Sequence, residues 1–223
     1  MQNILSNIII SVNDKLYVKN PETSDLGKKI IEQSILLIDE IGFENFTFKK
    51  LGEKINSNES SIYRYFESKH KLMLYLSSWY WGWIEYKLAF ATTNVSNPME
   101  RLKKGITIVT EKVEDDSATL HINEAILNKI IIQEFTKTLL TKEVDEENKV
   151  GFFLVYKRII NRIIEMINEV NPEYAFAKSL ASSIVEGALH QHFLKDHLKT
   201  ITNCNETVSP TDFYINLIEN TLR

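Results

Sequence analysis

The sequence predicts an all-α protein of about nine helices, and three observations carry that reading. Only four prolines and seven glycines occur in 223 residues, against abundant Ile, Leu, Lys, Glu and Asn, a balance that favours helices over a turn-rich β fold. Apolar residues recur at helical spacing along most of the chain. Asn-Pro and Ser-Pro pairs followed by an acid punctuate it where helices would begin. The spacing predicts helices over 25–42, 47–54, 59–65, 69–92, 98–112, 120–140, 148–169, 173–198 and 211–222. No period-2 pattern competes, apart from the short run Ile8 to Val12.

The first helix rests on Ile31, Ile35 and Ile38, widened by Ile30, Leu37 and Ile41, with Gly42 where a C-terminus belongs. Ser68 marks the start of the fourth. The sequences Asn97-Pro98-Met99-Glu100, Asn171-Pro172-Glu173 and Ser209-Pro210-Thr211-Asp212 each read as an N-cap and a proline in the first turn. The missing N–H costs nothing there, and the acid that follows faces the positive helix end. Phe152, Tyr156, Ile159, Ile163 and Ile167 hold a helix period from Asn148 to Asn168, and Phe153, Ile160 and Ile164 widen the stripe.

The stretch Thr47 to Lys69, TFKKLGEKINSNESSIYRYFESK, carries the most chemistry. Thr47 stands at an N-cap. Phe48, Leu51 and Ile55 form the buried side of a short helix, and Gly52 on that side lets a second helix approach closely. Asn56 occupies a turn that requires left-handed backbone. Asn58 caps the second helix, Ile62 and Phe66 point inward, and Glu59, Ser60, Tyr63 and Arg64 share the opposite face. Two short helices about such a turn suit a helix-turn-helix, whose second helix lies in a DNA major groove.

The formal net charge of -4 does not advertise a nucleic-acid partner, yet the charge is unevenly placed. Between Thr47 and Lys71, six cations (Lys49, Lys50, Lys54, Arg64, Lys69, Lys71) face three Glu, so this stretch carries +3 and the rest -7. Attraction to phosphate decays within a Debye length of roughly 8 Å, so the local excess counts for more than the total. The lone Cys204 allows no internal disulfide and fits a reducing cytoplasm. The apolar N-terminus has no preceding basic residue and is broken by Asn7, unlike a secretory signal. No run of about eighteen apolar residues suggests a membrane span, and the expected location is cytoplasmic. No nucleophile elbow, phosphate loop, Gly-rich dinucleotide turn or His-Glu-x-x-His motif points to an enzyme or a cofactor.

These residues resemble the signature of TetR-family (TetR/AcrR-like) transcriptional regulators over about residues 25 to 75. Its elements stand here as Thr47, Leu51-Gly52, Asn56-Ser57-Asn58 and Tyr63-Arg64-Tyr65-Phe66-Glu67-Ser68-Lys69. Asn56 replaces the usual Gly, and Ser57 a usual apolar residue. The resemblance implies a domain at 1–68 comprising an N-terminal arm and a three-helix DNA-binding module, then effector-binding and dimerisation over 69–223. It implies a ligand-responsive regulator, most often a repressor, binding double-stranded DNA at a palindromic operator as a homodimer. Thr47, Ser61, Tyr63, Tyr65 and Lys69 would contact phosphates, while Lys49, Glu59, Ser60 and Arg64 would lie near base edges. Arg64 could donate bidentately to guanine and Glu59 accept from a cytosine amine. The family dimer interface would fall on helices near 173–198 and 211–222, with Phe213, Leu217 and Leu222 on the apolar side of the second. A second reading, from another class, is a helical ligand-binding or scaffold protein whose helix-turn-helix does not engage DNA.

Elsewhere the residues leave alternatives open. Trp79, Trp83, Tyr86 and Phe90 make an aromatic face that suits either core packing or the wall of an effector pocket. Trp81 lies off that stripe. Trp81, Trp83, Tyr86, Phe153, Tyr156 and His190 are the pocket candidates for a small-molecule effector. His190, His192, Asp196 and His197 have the spacing of some metal ligands but no completing Cys or acidic cluster, so pocket lining or a dimer contact is the better expectation. Ala177, Ala181, Val185 and Ala188 form a small-residue stripe suited to close helix approach. The runs Glu114-Asp115-Asp116 and Asp145-Glu146-Glu147 read as solvated loops, and Cys204 as a surface thiol.

Overall fold

The computed structural model describes residues 10–113 and 121–223. Among them are ten α-helices and no strand: α1 Asp25–Asn45, α2 Phe48–Ile55, α3 Glu59–Tyr63, α4 Lys69–Thr92, α5 Pro98–Thr110, α6 Glu124–Leu139, α7 Val144–Lys149, α8 Leu154–Val170, α9 Ala177–His197 and α10 Pro210–Thr221. Single 3-10 turns lie at Asp14–Leu16, Pro21–Thr23 and Lys199–Ile201. The short run beginning at Ile8 forms no strand over its described part, Ile10 to Val12.

Most helix starts follow from their caps. The side chains of Asn97 and Ser209 accept from the backbone N–H three residues on, at Glu100 and Asp212, and long helices follow both. Asp212 returns a bond to the Ser209 backbone, completing a capping box. Asn171 behaves differently. Its side chain accepts from Glu173 two residues on, and the Tyr174 N–H bonds the Asn171 carbonyl, so Pro172 sits in an isolated turn. The helix expected from 173 therefore starts at Ala177. The helix expected over 148–169 is also divided. Gly151, at φ 86°, takes a left-handed backbone that ends α7, and α8 starts at Leu154. Gly42, at φ 76° and ψ 154°, interrupts α1 where a stop was expected.

The chain falls into two compact units, Met1–Gly82 with Val113–Phe153 and Trp83–Lys112 with Leu154–Arg223. The first unit buries Ile30, Ile31 and Ile35 of α1, Leu51 of α2, Ile62 of α3 and Phe66, with Leu72, Tyr75 and Leu76 of α4. Trp81 of α4 packs edge-on against Phe135 of α6, and the Asn128 side chain donates to the Tyr80 hydroxyl. Two expectations fail here. The run Asp145-Glu146-Glu147 lies in α7 rather than a loop, and Glu147 is buried with a carboxylate oxygen 2.8 Å from His70 Nε2. Residues 114–116, the other acidic run, fall outside the described residues.

The second unit packs α5 with α8, α9 and α10. Ile106, Ile159, Ile163, Ile167, Ile184 and Ile218 are fully buried. The small-residue stripe Ala177, Ala181, Val185 and Ala188 is buried within the chain. Cys204 is buried too, not a surface thiol: it is 5% exposed, and its N–H donates to Thr202 Oγ1. Burial, then the proximity of Cys204, pushes the Tyr214 hydroxyl up to about 12.

Candidate nucleic-acid interface

Thr47 opens α2 in extended backbone, and its Oγ accepts from Lys50 N at 3.2 Å. That bond uses a lone pair and leaves the O–H as a donor. Phe48, Leu51 and Ile55 are buried as the spacing requires. Asn56 takes the left-handed conformation, φ 55° and ψ 48°. Ser57 N–H bonds back to the Gly52 carbonyl at 2.8 Å, so the turn lies directly against α2. A Cβ on Gly52 would stand 2.7 Å from the Ser57 carbonyl oxygen. Asn58 then caps α3: its Oδ1 accepts from Ser61 N at 2.8 Å and from the Ser60 and Ser61 hydroxyls at 2.7 Å each.

The face opposite Ile62 carries Glu59, Ser60, Tyr63 and Arg64. Ser60, Tyr63 and Arg64 are exposed and Glu59 half-buried. Tyr63 is fixed by an edge contact to Phe48, ring centroids 5.0 Å apart, and remains 48% exposed. Lys49 and Glu59, one from each helix of the motif, border one open hollow of about 450 Å³ beside the turn.

The local positive charge divides into two groups. Lys54 pairs with Glu40. Lys50 and Lys69 cap the C-terminal end of α1. Lys50 donates to the Asn45 carbonyl, and Lys69 to those of Phe43, Glu44 and Phe46 at 3.0, 3.1 and 3.3 Å. Lys71 stands 4.0 Å from the Phe152 ring centroid. Lys49 and Arg64 are exposed and form no ion pair or hydrogen bond with any described residue. They are the cations available to an anionic partner.

Tyr65 turns inward, only 3% exposed, and its hydroxyl meets Ser24 Oγ at 2.8 Å and Lys19 Nζ at 3.3 Å. The Ser24 hydrogen bond, then the Lys19 bond and charge with a smaller contribution from Arg64, holds this phenol below its ordinary value against the opposing effect of burial. Sequence reasoning did not find Ser24 or Lys19, because they precede the motif by more than twenty residues and belong to no periodic pattern.

Two pocket candidates, Trp81 and Phe153, are buried in the first unit. Trp83, Tyr86, Tyr156 and His190 belong to the second. There Lys87 Nζ lies 4.7 Å over the Trp83 ring. Tyr156 donates to Glu186 at 2.6 Å, and burial, then that carboxylate, raises its hydroxyl well above the ordinary value. His190 is exposed on α9. Phe90, at the end of the aromatic stripe, is 76% exposed. His192 donates from Nε2 to the Thr110 carbonyl at 2.8 Å, and burial lowers its pKa in spite of that bond. The His197 ring lies against Phe193, tilted by 40° with 4.6 Å between centroids. Among the described residues no three His, Cys, Asp or Glu gather closely enough to hold a metal ion.

A capped short helix, a tight left-handed turn and a second helix presenting hydroxyl and phenol groups, with a guanidinium at its end, form a helix-turn-helix, the motif whose second helix can lie in a DNA major groove. The family model described as "Bacterial regulatory proteins, tetR family" matches residues 30–76, from α1 into α4. Over that stretch, about a fifth of the chain, the sequence is similar to the family's helix-turn-helix region. The fold extends the likeness beyond the domain. A tetR-family regulatory protein from Rhodococcus RHA1 superposes with a TM-score of 0.60 at 14% identity, covering 90% of this chain and 96% of that one. The structure of AibR in complex with isovaleryl coenzyme A and operator DNA gives 0.56 at 16% identity, covering 85% and 97%. The superantigen PfiT gives 0.59 at 15% identity, covering 91% and 98%. At such identities the likeness is one of fold. No curated protein matches the chain. No described helix is long and apolar enough to cross a membrane.

Proposed function

We propose that this protein is a ligand-responsive, sequence-specific transcriptional repressor that binds a palindromic operator as a homodimer in the cytoplasm and performs no catalysis. The exposed cations Lys49, at the hollow beside the α2–α3 turn, and Arg64, at the C-terminal end of α3, are the observation that carries the DNA reading. Residues 1–68 serve as the DNA-binding domain and 69–223 as the effector and dimer domain. Thr47 and Tyr63 donate hydroxyl hydrogens to phosphates, Ser61 joins them only by turning its O–H away from Asn58 Oδ1, and Lys49, Glu59, Ser60 and Arg64 approach base edges. Tyr65 and Lys69 belong to the same set. Their polar atoms are already bonded within the protein, so a phosphate shares those bonds and locks the recognition segment to α1.

An apolar or aromatic effector binds within residues 69–223, for which Trp83, Tyr86, Tyr156 and His190 are the candidates in the second unit and Trp81 and Phe153 separate candidates in the first. The AibR complex with isovaleryl coenzyme A and operator DNA, a neighbour in fold, supports an effector site alongside a DNA site. The effector acts through its differential affinity for the DNA-competent and incompetent dimer geometries. Phe176 and Phe213, 66% and 44% exposed at the starts of α9 and α10, support dimerisation there. Two recognition helices would then meet half-sites about 34–36 Å apart.

Selection of bound sequences from random duplexes tests the reading. Tyr63→Ala and Lys69→Ala should weaken binding to all selected sequences. Arg64→Ala should also lose about 1–3 kcal/mol of discrimination at one base pair of each half-site. Equal sequence preference in the Arg64 variant and the wild type would remove Arg64 from the base-reading role. Duplex affinity independent of salt would favour the non-DNA reading.

A further inference from the structure

The segment before α1 is built onto the recognition motif. Leu16 is 1% exposed, Pro21 is buried, and the Tyr17 ring meets Tyr75 edge-on at 6.1 Å. Val18 N–H donates to the Tyr65 carbonyl at 2.8 Å. Further along, Glu22 accepts from the Tyr75 hydroxyl at 3.1 Å and lies 3.0 Å from His121 Nε2. The segment is thus fixed on both sides of Lys19. Lys19 itself is exposed, with Nζ 3.3 Å from the Tyr65 hydroxyl. Tyr65 directly follows Arg64, and the charges of Lys19 and Arg64 both reach the Tyr65 hydroxyl.

We infer that Lys19 is an additional DNA-backbone contact, a cation delivered from the N-terminal segment to the phosphate beside Tyr65 and Arg64. The inference rests on the DNA-binding function proposed for the chain. Its physics is that of a point charge held in place. A flexible lysine loses side-chain freedom when it pairs with a phosphate. The backbone bond at Val18 and the hydroxyl of Tyr65 restrict Lys19 before DNA arrives. An ammonium carries no base-reading fork, so its contribution is independent of sequence. Tyr65 then has two partners on the protein side, Ser24 and Lys19, and the phosphate completes the Lys19 donor set.

The test is the salt dependence of duplex binding by the full-length chain, using a random-sequence pool about three helical turns long. Lys19→Ala should reduce the steepness of log affinity against log salt by about 0.9 per bound chain, equally for every selected sequence. Lys19→Arg should keep the wild-type slope. Lys15→Ala, on the same segment but bonded to Asn13 only through its backbone, should also keep it. Thermal unfolding of each variant checks that the fold is unchanged. An unaltered slope in Lys19→Ala, with a steep wild-type slope, overturns the inference and leaves the DNA reading standing. An equal loss in Lys15→Ala also overturns it, since the effect would then be one of net charge. A wild-type chain with no salt-dependent duplex binding overturns both.

Discussion

Replacing Gly52 by Ala sets two effects of opposite sign against each other. In an unobstructed helix interior the change stabilises by about 1 kcal/mol through helix propensity. Here the added Cβ would stand 2.7 Å from the Ser57 carbonyl oxygen, 3.4 Å from Glu59 N and 3.5 Å from the Asn58 carbonyl carbon. Ordinary contact begins near 3.4 Å, so the turn must retreat by the difference from 2.7 Å, about 0.7 Å. The nearest atoms are backbone and cannot swing aside as a side chain would. The Ser57 N–H bond to the Gly52 carbonyl also ties the turn to the residue being changed. Overpacking of this kind costs about 1–3 kcal/mol. The net expectation is a loss of about 1 kcal/mol, together with weaker duplex binding because Asn58 and α3 move with the turn. Urea unfolding at an unchanged slope measures the first, and salt titration of duplex affinity the second. A Gly52→Ala protein about 1 kcal/mol more stable than the wild type, with unaltered affinity, would refute the close-approach argument.

Three further outcomes are expected from the geometry. Asn58→Ala removes an acceptor that serves three donors and should cost about 1 kcal/mol, while Asn58→Asp should retain most of the cap; equal stability of Ala and Asp variants in urea would contradict this. His192 has a folded pKa below its ordinary value because of burial, against which the Thr110 bond and Asp196 act and with which Lys195 and Lys112 act. The unfolded chain therefore binds more protons, so stability present above about pH 6.5 should fall as pH drops below it, and His192→Gln should flatten that part of the profile. Glu22 should give a second acid-sensitive response at lower pH. Burial raises its pKa, but His121, Tyr75 and Lys28 together bring it below the ordinary value. Its stabilisation should be complete above about pH 4.5 and be lost as the carboxylate protonates, a loss absent from Glu22→Gln.

Much of the candidate interface was legible because its determinants are local. A cap needs one acceptor and an N–H within three residues, so Thr47, Asn58, Asn97 and Ser209 were readable from spacing. The left-handed turn at Asn56 and the interruption at Gly42 were readable from backbone preference. Asn171-Pro172 shows the limit of that reading. The same residue pair can close an isolated turn or start a helix, and the residues downstream of the proline decide whether the Asn side chain bonds two or three positions ahead. The buried states of Glu147 and Cys204 were invisible, since nothing in their neighbours along the chain separates a buried site from a solvated loop.

The sequence by itself therefore determined the helical class, the position of the helix-turn-helix and the polar face of its second helix. These depend on interactions within about one helical turn, which leave a periodic trace. Only the tertiary structure decided which cations stay free of partners among the described residues. Lys69 and Lys50 are drawn to the open carbonyls ending α1, whereas Lys49 and Arg64 stay exposed. It also brought Lys19 and Ser24 to Tyr65, across separations of 46 and 41 residues. Contacts of that span are set by how the helices pack, and no pattern along the chain encodes them.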